Sequence, residues 1–506
     1  MGTPPAHPGS DQATAGLARA RPHRLTDAAL TALGAGRPDP ATVAELHRAQ
    51  LSRHLLLLRE IAIATRAGRP EAAFTRTGPD PVVALAQAER TSPGRVRELL
   101  GRPLFGAWAT GCLTALRAGA GPVEAGLGHL SDLALAAQIP QQRDRVLSAG
   151  HDGLAITARL EDADPLRARL GLTPTPPLTA EQRDRWQRAF SEAWRLLVTA
   201  VRPDAEVLAA VLDCVVPVQP DPAARGISAT SAEAFGAVAI SEPADATALA
   251  VGLLHETQHS ILNAVQYLFD LLEAPDTLGY SPWRDDPRPA SGILHGAYAY
   301  LTVTRFWRTR RDDLLAQFEF ARWRAAVVDA AGSLRDLTPA GARFVGALLD
   351  EVRPWLAEPV DPRVLRLAQG ANRDHYLRWR LRNRHVDPAD AEKLVRAFRT
   401  GEPPPAIQSA LRPAPRRALE ASTRLDLAHR FLRDRPLDGP EADVAYVRGD
   451  NGRALSSYRR TEDGPHGRAP TDWAGLLLAG GFEVAPEIAA VLDGLADPIE
   501  ILRWLG

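Results

Sequence analysis

The stretch that decides the fold reads Leu249-Ala250-Val251-Gly252-Leu253-Leu254-His255-Glu256-Thr257-Gln258-His259-Ser260-Ile261-Leu262. Apolar side chains recur in it at intervals of three and four residues, which is the period of one face of an α-helix. The pattern continues on both sides and predicts one long helix from about Pro243 to Leu272. Because apolar residues flank its polar ones, we expect this helix to lie at the centre of the protein.

Two histidines and a glutamate interrupt the apolar face of this helix. His255 and His259 are four residues apart, so they lie on one side of the helix and both imidazoles can reach one metal ion. Glu256 is rotated by about 100° from His255, so it can handle a proton beside the metal without being a ligand. Burying these three groups costs free energy unless a partner compensates. The H-E-x-x-H pattern therefore predicts a metal site with His255 and His259 as ligands and Glu256 as the catalytic residue.

A metal site needs at least a third ligand. The downstream candidates are Glu273, Asp285, Asp286 and His295. We favour His295, because it lies early in an apolar helix predicted from about Ser291 to Arg311 and is flanked by small residues. The acids at 285 and 286 lie in a proline-rich turn, where we expect solvated or helix-capping side chains. A carboxylate as the third ligand stays an open alternative.

Composition and charge exclude several classes of protein. The chain has 506 residues, 45% of them hydrophobic and 24% charged, which is ordinary for a folded globular protein. Its 60 basic and 61 acidic residues leave no net charge that would attract nucleic acid or anionic lipid. The two cysteines, Cys112 and Cys214, exclude a disulfide framework and a cysteine-rich zinc site. With neither a signal peptide nor a membrane-spanning apolar run, we expect a cytoplasmic protein that binds no membrane and no nucleic acid.

Helical periodicity dominates the rest of the chain. We predict a mainly α, multi-helix protein with a few short β-strands or hairpins and with the metal site on the central long helix. The predicted divisions are a flexible tail over 1–22, a helical domain over 23–200, a metal-binding catalytic core over 201–360 and a mostly helical region over 361–506. A strand pair near 153–160 and a strand over 237–240 are expected. Asp450-Asn451-Gly452, between two apolar-polar runs, predicts a hairpin near 444–458.

Three runs around the metal motif resemble a known family. They are Ser231-Ala232-Glu233-Ala234-Phe235-Gly236, His255-Glu256-x-x-His259, and Pro282-Trp283-Arg284-x-Asp286-x-Arg288-Pro289-x-x-Gly292-x-Leu294-His295-Gly296. They resemble the HExxH-motif domain of peptide-modification gene clusters, which is similar to α-ketoglutarate-dependent peptide β-hydroxylases and also occurs fused to radical SAM maturases. The specific part covers residues 228–300, and a weaker likeness extends to Leu55–Arg66 and to residues 374–380. The chain lacks the cysteine triplet of a radical SAM enzyme, so it resembles the stand-alone form.

The resemblance implies a non-haem iron enzyme that hydroxylates a side-chain β-carbon in a ribosomally made precursor peptide. It implies that His255, His259 and His295 hold iron(II), with α-ketoglutarate as the co-substrate. Three imidazoles in place of two histidines and one carboxylate suffice if α-ketoglutarate supplies the negative charge. Arg284 and Arg288, in the turn before His295, are candidates for binding the distal carboxylate of α-ketoglutarate. The implied partners are the precursor peptide and a radical SAM maturase from the same pathway.

Two other functions fit the same motif. In a zinc-dependent peptidase, zinc would lower the pKa of its bound water and Glu256 would act as the general base. In a non-catalytic peptide-binding protein, the metal would only stabilise the fold. The second alternative calls for a closed site with four ligands, and the sequence offers no obvious fourth one.

Overall fold

The computed structural model describes residues 22–67, 81–138, 145–221, 226–412, 422–460 and 468–506. Helices hold most of these residues, which confirms the prediction of a mainly α protein with a few short strands. Within these ranges, every helix lacks the combination of length and hydropathy that crossing a bilayer requires. The predicted flexible tail over 1–22 lies outside the described residues except for its last position.

The N-terminal part of the chain is built from helices. They are α1 (Asp27–Gly34), α2 (Pro40–Ala67), α3 (Pro81–Thr91), α4 (Pro93–Gly101), α5 (Pro103–Arg117) and α6 (His129–Ala136). A proline begins each of α2 to α5, where its missing N–H has no helical partner to lose. Leu33 and Leu46 pack into one hydrophobic cluster with residues between 207 and 355, so the first two helices share a core with the centre of the protein.

A five-stranded sheet follows. Its strands are β1 (Val146–His151), β2 (Leu154–Leu160), β3 (Cys214–Val218), β4 (Ser228–Ala229) and β5 (Ala237–Ser241), in the spatial order β1-β2-β3-β5-β4. The strand pair predicted near 153–160 and the strand predicted over 237–240 are both present. β2, β3 and β5 run parallel, whereas β4 pairs antiparallel with β5 at the end of the sheet. β3 and β5 are entirely buried, as expected for central strands.

Helix α7 (Ala180–Val211) carries the chain from β2 to β3. A reciprocal pair of hydrogen bonds between Thr179 and Gln182 caps its start. The helix kinks at Val201, whose φ and ψ of −142° and 57° are not helical, and Pro203 follows inside the helix. Proline cannot donate to the preceding turn, which explains the kink. The domain boundary predicted at residue 200 thus falls inside a helix, next to its bend.

The central helices are α8 (Ala246–Gln266), α9 (Ala290–Arg308), α10 (Leu314–Ser333) and α11 (Pro339–Val352). α8 is the long helix expected around the H-E-x-x-H pattern. It begins at Ala246, because the carboxylate of Asp245 accepts a hydrogen bond from the N–H of Ala248 at 2.8 Å and caps the helix. Between α8 and α9, the two-residue strands β6 (Leu278–Gly279) and β7 (Arg288–Pro289) pair and close a loop over 280–287.

The remaining elements form the C-terminal part. They are α12 (Pro362–Asn383), β8 (Arg384–Val386), α13 (Pro388–Thr400), β9 (Ser409–Leu411), α14 (Thr423–Leu432), α15 (Glu441–Arg448), α16 (Asn451–Arg459), α17 (Pro470–Gly480), α18 (Pro486–Ala489) and α19 (Pro498–Leu505). Short 3₁₀ helices cover Pro165–Leu170, Arg353–Ala357 and Ala490–Leu492. α12 packs against α10, which joins this part to the central helices.

The hairpin predicted near 444–458 is wrong, because this segment is the helix pair α15 and α16. Gly449, at φ 89°, ends α15 in the left-handed conformation that favours glycine. The Asp450 carboxylate then accepts a hydrogen bond from the N–H of Arg453 at 3.0 Å and caps α16. Asp450-Asn451-Gly452 therefore starts a helix here, and the apolar residues around it pack against α17.

Candidate metal centre

Two neighbouring helices bring the three predicted histidine ligands together. α8 carries His255 and His259 one turn apart, and α9 packs against it and carries His295. The Nε2 atoms of His255 and His259 are 3.0 Å apart, and Nδ1 of His259 lies 3.3 Å from Nδ1 of His295. The three imidazoles thus form a line, which we call the histidine row, with His259 in the middle.

Burial keeps the histidine row neutral. It lowers the pKa of His295 to about 4 and is the largest cause of the lowered pKa of His255, which the charge of Glu256 opposes. The pKa of His259 lies well below its usual value, because burial is reinforced by the imidazoles on both sides. Each ring therefore carries one N–H and one bare nitrogen at neutral pH, which is the state that can bind a metal.

Gln266, which the sequence analysis did not single out, fixes the hydrogens of the row. It is the last residue of α8, and its Oε1 lies 2.8 Å from Nε2 of His295. Because this oxygen only accepts, His295 carries its hydrogen on Nε2 and turns a bare Nδ1 toward His259. His259 then donates from Nδ1 and accepts at Nε2 from His255. Gln266 lies seven residues after His259, on the same helix face, and that spacing was a usable signal in the sequence.

The donor set fits a divalent transition metal in kind and number, although the rings stand in a line. In the described ranges, no three histidine, cysteine or acidic side chains are already arranged around one point. The cause is His259, which contacts its two neighbours through different ring nitrogens. The 3.0 Å between Nε2 of His255 and Nε2 of His259 suits two adjacent ligands with bonds of about 2.0–2.1 Å once the hydrogen of His255 has moved from Nε2 to Nδ1. Binding by all three imidazoles requires a rotation of the His295 or His259 side chain.

Glu256 is held by two hydroxyl groups from the edge of the sheet. Ser228 in β4 donates to Oε1 and Thr230 donates to Oε2, each at 2.6 Å, and Glu256 is only 3% exposed. The Thr230 hydroxyl also lies 3.2 Å from the carbonyl oxygen of Glu256, but its single hydrogen serves the nearer carboxylate. Both carboxylate oxygens are therefore engaged under β4. The spacing of residues 228, 230 and 256 in the sequence does not predict these contacts, because they depend on how the sheet packs against α8.

The expectation that Asp285 and Asp286 are solvated or cap a helix is wrong. Their exposed fractions are 1% and 3%. The Asp285 carboxylate lies 3.3 Å from Nε2 of His375 on α12, and the carbonyl oxygen of Asp285 accepts a hydrogen bond from Asn383. The loop over 280–287 is covered by α12, which the local sequence could not indicate. Glu273, the remaining candidate, is exposed.

Arg284 and Arg288, the predicted co-substrate residues, share one carboxylate. Arg284 Nε lies 3.3 Å from one oxygen of Asp286, and Arg288 Nη1 lies 3.4 Å from the other. Their side chains are 26% and 21% exposed, so each guanidinium keeps donors that face solvent. In the described residues, neither one hydrogen-bonds to the histidine row. Asp286 already neutralises part of their charge, so these two arginines would attract a ligand carboxylate less strongly than unpaired arginines would.

Three aromatic side chains cluster at the His255 end of the histidine row. The ring of Tyr300 stands edge-on to His255 at 5.3 Å, Trp283 stacks on Tyr300 at 4.8 Å, and Trp323 lies 4.4 Å from Tyr300. We call Trp283, Tyr300 and Trp323 the aromatic wall. Trp283 reaches this position only because residue 296 is glycine: a Cβ there would lie 1.7 Å from its indole nitrogen. The three histidines of the row are half-buried, so the wall covers them only in part.

The site thus combines neutral nitrogen donors, a carboxylate held by two hydroxyl groups, an aromatic wall and two half-neutralised arginines. No protein-family model matches the chain, and no curated protein is significantly similar to it in sequence. The chemistry of the site therefore has to support any functional assignment. Neutral imidazoles bind both iron and zinc, so the three histidines alone do not identify the metal. The residues around the histidine row have to indicate which of the two it is.

Proposed function

We propose that this chain is an iron(II)- and α-ketoglutarate-dependent hydroxylase that acts on a side-chain β-carbon of a ribosomally made precursor peptide. The observation that carries the proposal is the histidine row, in which two packed helices bring together three imidazoles that burial keeps neutral. The resemblance of residues 228–300 to the peptide-modifying HExxH domains supplies the reaction class.

In this proposal His255, His259 and His295 hold the iron. When bound, iron(II) allows oxygen to convert α-ketoglutarate into succinate and carbon dioxide while one oxygen atom enters a C–H bond of the peptide. Gln266 keeps the hydrogen of His295 on Nε2, so Nδ1 stays available as a ligand atom. The aromatic wall adds apolar surface beside His255, where Tyr300 contacts its ring.

The surroundings of Glu256 favour a hydroxylase over a peptidase. A general base must accept the proton of a metal-bound water, so its carboxylate should face that water. Both oxygens of Glu256 instead accept hydrogen bonds from Ser228 and Thr230 at 2.6 Å. We therefore assign Glu256 a positioning role, in which it ties α8 to the edge of the sheet.

A zinc-dependent peptidase is the second candidate, and the position of β4 is compatible with its peptide substrate. In the described residues, β4 is the end strand of the sheet and lies directly against Glu256. An end strand can pair with an extended peptide through its backbone, which would place a scissile bond near the metal. A hydroxylase that acts on a peptide can use the same strand, so β4 supports a peptide substrate in both cases.

Turnover of α-ketoglutarate tests the proposal without knowledge of the natural peptide. Protein loaded with iron(II) should release succinate from α-ketoglutarate in the presence of oxygen. His259→Ala should abolish the release, because it removes the central imidazole. His47→Ala is the matched control: His47 is exposed, its Nε2 lies 2.8 Å from the carbonyl oxygen of Ala210, and in the described residues it makes no hydrogen bond or ring contact with the row. Equal succinate release by wild type and His259→Ala would refute the proposed site.

A further inference from the structure

A buried arginine whose guanidinium has no hydrogen-bond partner in the described residues lies next to Trp323 of the aromatic wall. Arg322, on α10, is only 5% exposed, and its Nε is buried with no acceptor. Across the described parts of the chain, its guanidinium has neither a hydrogen bond nor an ion pair within 4.0 Å. Burying an unpaired charge costs several kcal/mol as an order of magnitude. A ligand that supplies an acceptor to this group would recover part of that cost.

The surroundings hold Arg322 without neutralising it. Its guanidinium stacks on the Trp323 ring at 4.1 Å, and Asn372 donates to its carbonyl oxygen at 2.8 Å. The nearest acid in sequence on the same helix face is Glu319, whose oxygens are taken by Trp323 Nε1 at 2.6 Å and by His429 at 3.1 Å. Burial raises the pKa of Glu319, but the hydrogen bond from His429 and the charge of Arg322 bring it below its usual value. Glu319 is thus charged, but its two oxygens contact Trp323 and His429 and make no hydrogen bond with Arg322.

Arg322 has one neighbour in the lining of a cavity and another in the aromatic wall: Asn372 lines the cavity and donates to the carbonyl oxygen of Arg322, and Trp323 stacks on its guanidinium. The cavity has a volume of about 370 Å³, and its lining includes Tyr280, Asn372 and, from α10, Ala326 and Asp329. Ala326 and Asp329 follow Arg322 by four and seven residues, so all three share one helix face. Arg322 is also close enough to Tyr300 for its charge to act on that side chain. Burial raises the pKa of Tyr300 to about 12, and the charge of Arg322 partly opposes this shift. Tyr300 in turn contacts His255.

We propose that Arg322 binds a carboxylate group of a ligand that enters through this cavity. A guanidinium presents paired N–H groups that match the two oxygens of a carboxylate. The carboxylate belongs either to a free dicarboxylate such as α-ketoglutarate or to an acidic side chain of the bound peptide. Only the identity of the ligand rests on the proposed function. Unlike Arg284 and Arg288, which already share Asp286, Arg322 has no carboxylate oxygen within 4.0 Å in the described residues, although the charge of Glu319 acts on it from farther away.

Arg324 provides a matched control on the same helix. It is 3% exposed, but its Nη1 donates to the carbonyl oxygens of Trp355 at 2.6 Å and of Glu358 at 2.8 Å. Arg324→Gln should therefore lower the melting temperature and leave carboxylate binding intact. Arg322→Gln removes an unpaired charge, so the melting temperature of the unligated protein should stay the same or rise.

Binding is measured by calorimetry and by the ligand-induced shift in melting temperature, on metal-free protein and on iron-loaded protein without oxygen. The probes are succinate, α-ketoglutarate, and short acetylated glutamate peptides compared with their glutamine counterparts. We expect Arg322→Gln to weaken binding of the carboxylate probe by about 10- to 100-fold. Arg322→Lys should recover only part of this loss, because lysine cannot pair with both oxygens. Loss of dicarboxylate binding identifies a free co-substrate, whereas loss confined to glutamate peptides identifies the peptide.

Equal affinities of wild type and Arg322→Gln for every carboxylate probe would overturn the inference. The outcome is separable from that of the proposed function. If binding depends on Arg322 but iron-loaded wild type never releases succinate, the carboxylate site stands and the hydroxylase fails. If wild type and Arg322→Gln release succinate at the same rate at low α-ketoglutarate and bind every probe equally, the hydroxylase stands and the carboxylate site fails.

Discussion

Replacing Thr230 by valine removes one of the two hydroxyl groups that hold Glu256 while preserving the shape of the side chain. Its hydrogen bond to Oε2 is 2.6 Å long and the carboxylate is 3% exposed, so water cannot easily replace the lost donor. A hydrogen bond to a charged group contributes about 1.5–3 kcal/mol. We therefore expect Thr230→Val to destabilise the contact between β4 and α8 by about 2 kcal/mol, and Ser228→Ala to have a similar effect.

Hydrogen exchange of the α8 amides, followed by mass spectrometry, measures this local loss. A change of about 2 kcal/mol corresponds to exchange that is about 30-fold faster. In a Glu256→Gln background the charge is gone, so Thr230→Val should cost only about 1 kcal/mol, and the difference is the coupling energy of the pair.

Thr257→Val is the control for this experiment. Thr257 is also buried, at 2% exposure, and lies next to Glu256, but its hydroxyl oxygen has no hydrogen-bond partner among the described residues. The same chemical change should therefore leave exchange in α8 unchanged or slower. If Thr230→Val and Thr257→Val alter exchange equally, the hydroxyl groups do not hold Glu256 and its assigned positioning role is refuted.

Three further predictions concern the histidines and their surroundings. His255→Ala and His259→Ala should each lose bound iron or zinc, as measured by metal analysis of purified protein, and full occupancy in either variant would contradict the site. Gln266→Ala should weaken metal binding by about 10- to 100-fold, because His295 is then free to place its hydrogen on Nδ1; an unchanged metal affinity in a competition titration with a chelator would disprove this. His54, whose pKa burial lowers to about 4, stabilises the fold fully above pH 6.5 and loses that contribution as the pH falls toward 4. Between pH 7 and 5 this amounts to about 2 kcal/mol, and His54→Asn should flatten the corresponding fall in urea midpoint; a wild-type slope in the variant would show that another group is responsible.

Periodicity predicted the elements that local sequence controls. The spacing of apolar residues was enough to predict the long helix around His255 and His259. Composition and turn residues were enough to predict the strands near 153–160 and 237–240. The segment near 444–458 failed, because Asp-Asn-Gly can both form a hairpin turn and cap a helix. Packing against α17 selects the helical form, and the local sequence pattern carries no information about that packing.

The candidate site divides in the same way. The pairing of His255 with His259 follows from helix geometry, whereas the burial of Asp285 and Asp286 depends on α12, which lies about 90 residues later in the chain. Arg322 could not have been selected from sequence, since arginine is the commonest charged residue type of this chain and only burial distinguishes this one. The hydroxyl partners of Glu256 are likewise visible only when the sheet is placed against α8.

The fate of α-ketoglutarate and oxygen on iron-loaded protein tests the hydroxylase assignment directly. Wild type and His47→Ala should consume oxygen and release one succinate for each α-ketoglutarate, and His259→Ala should release none. Addition of a mixed peptide library should leave every peptide bond intact. No succinate from wild type, together with peptide cleavage by zinc-loaded protein in the absence of oxygen, would contradict the hydroxylase and establish the peptidase.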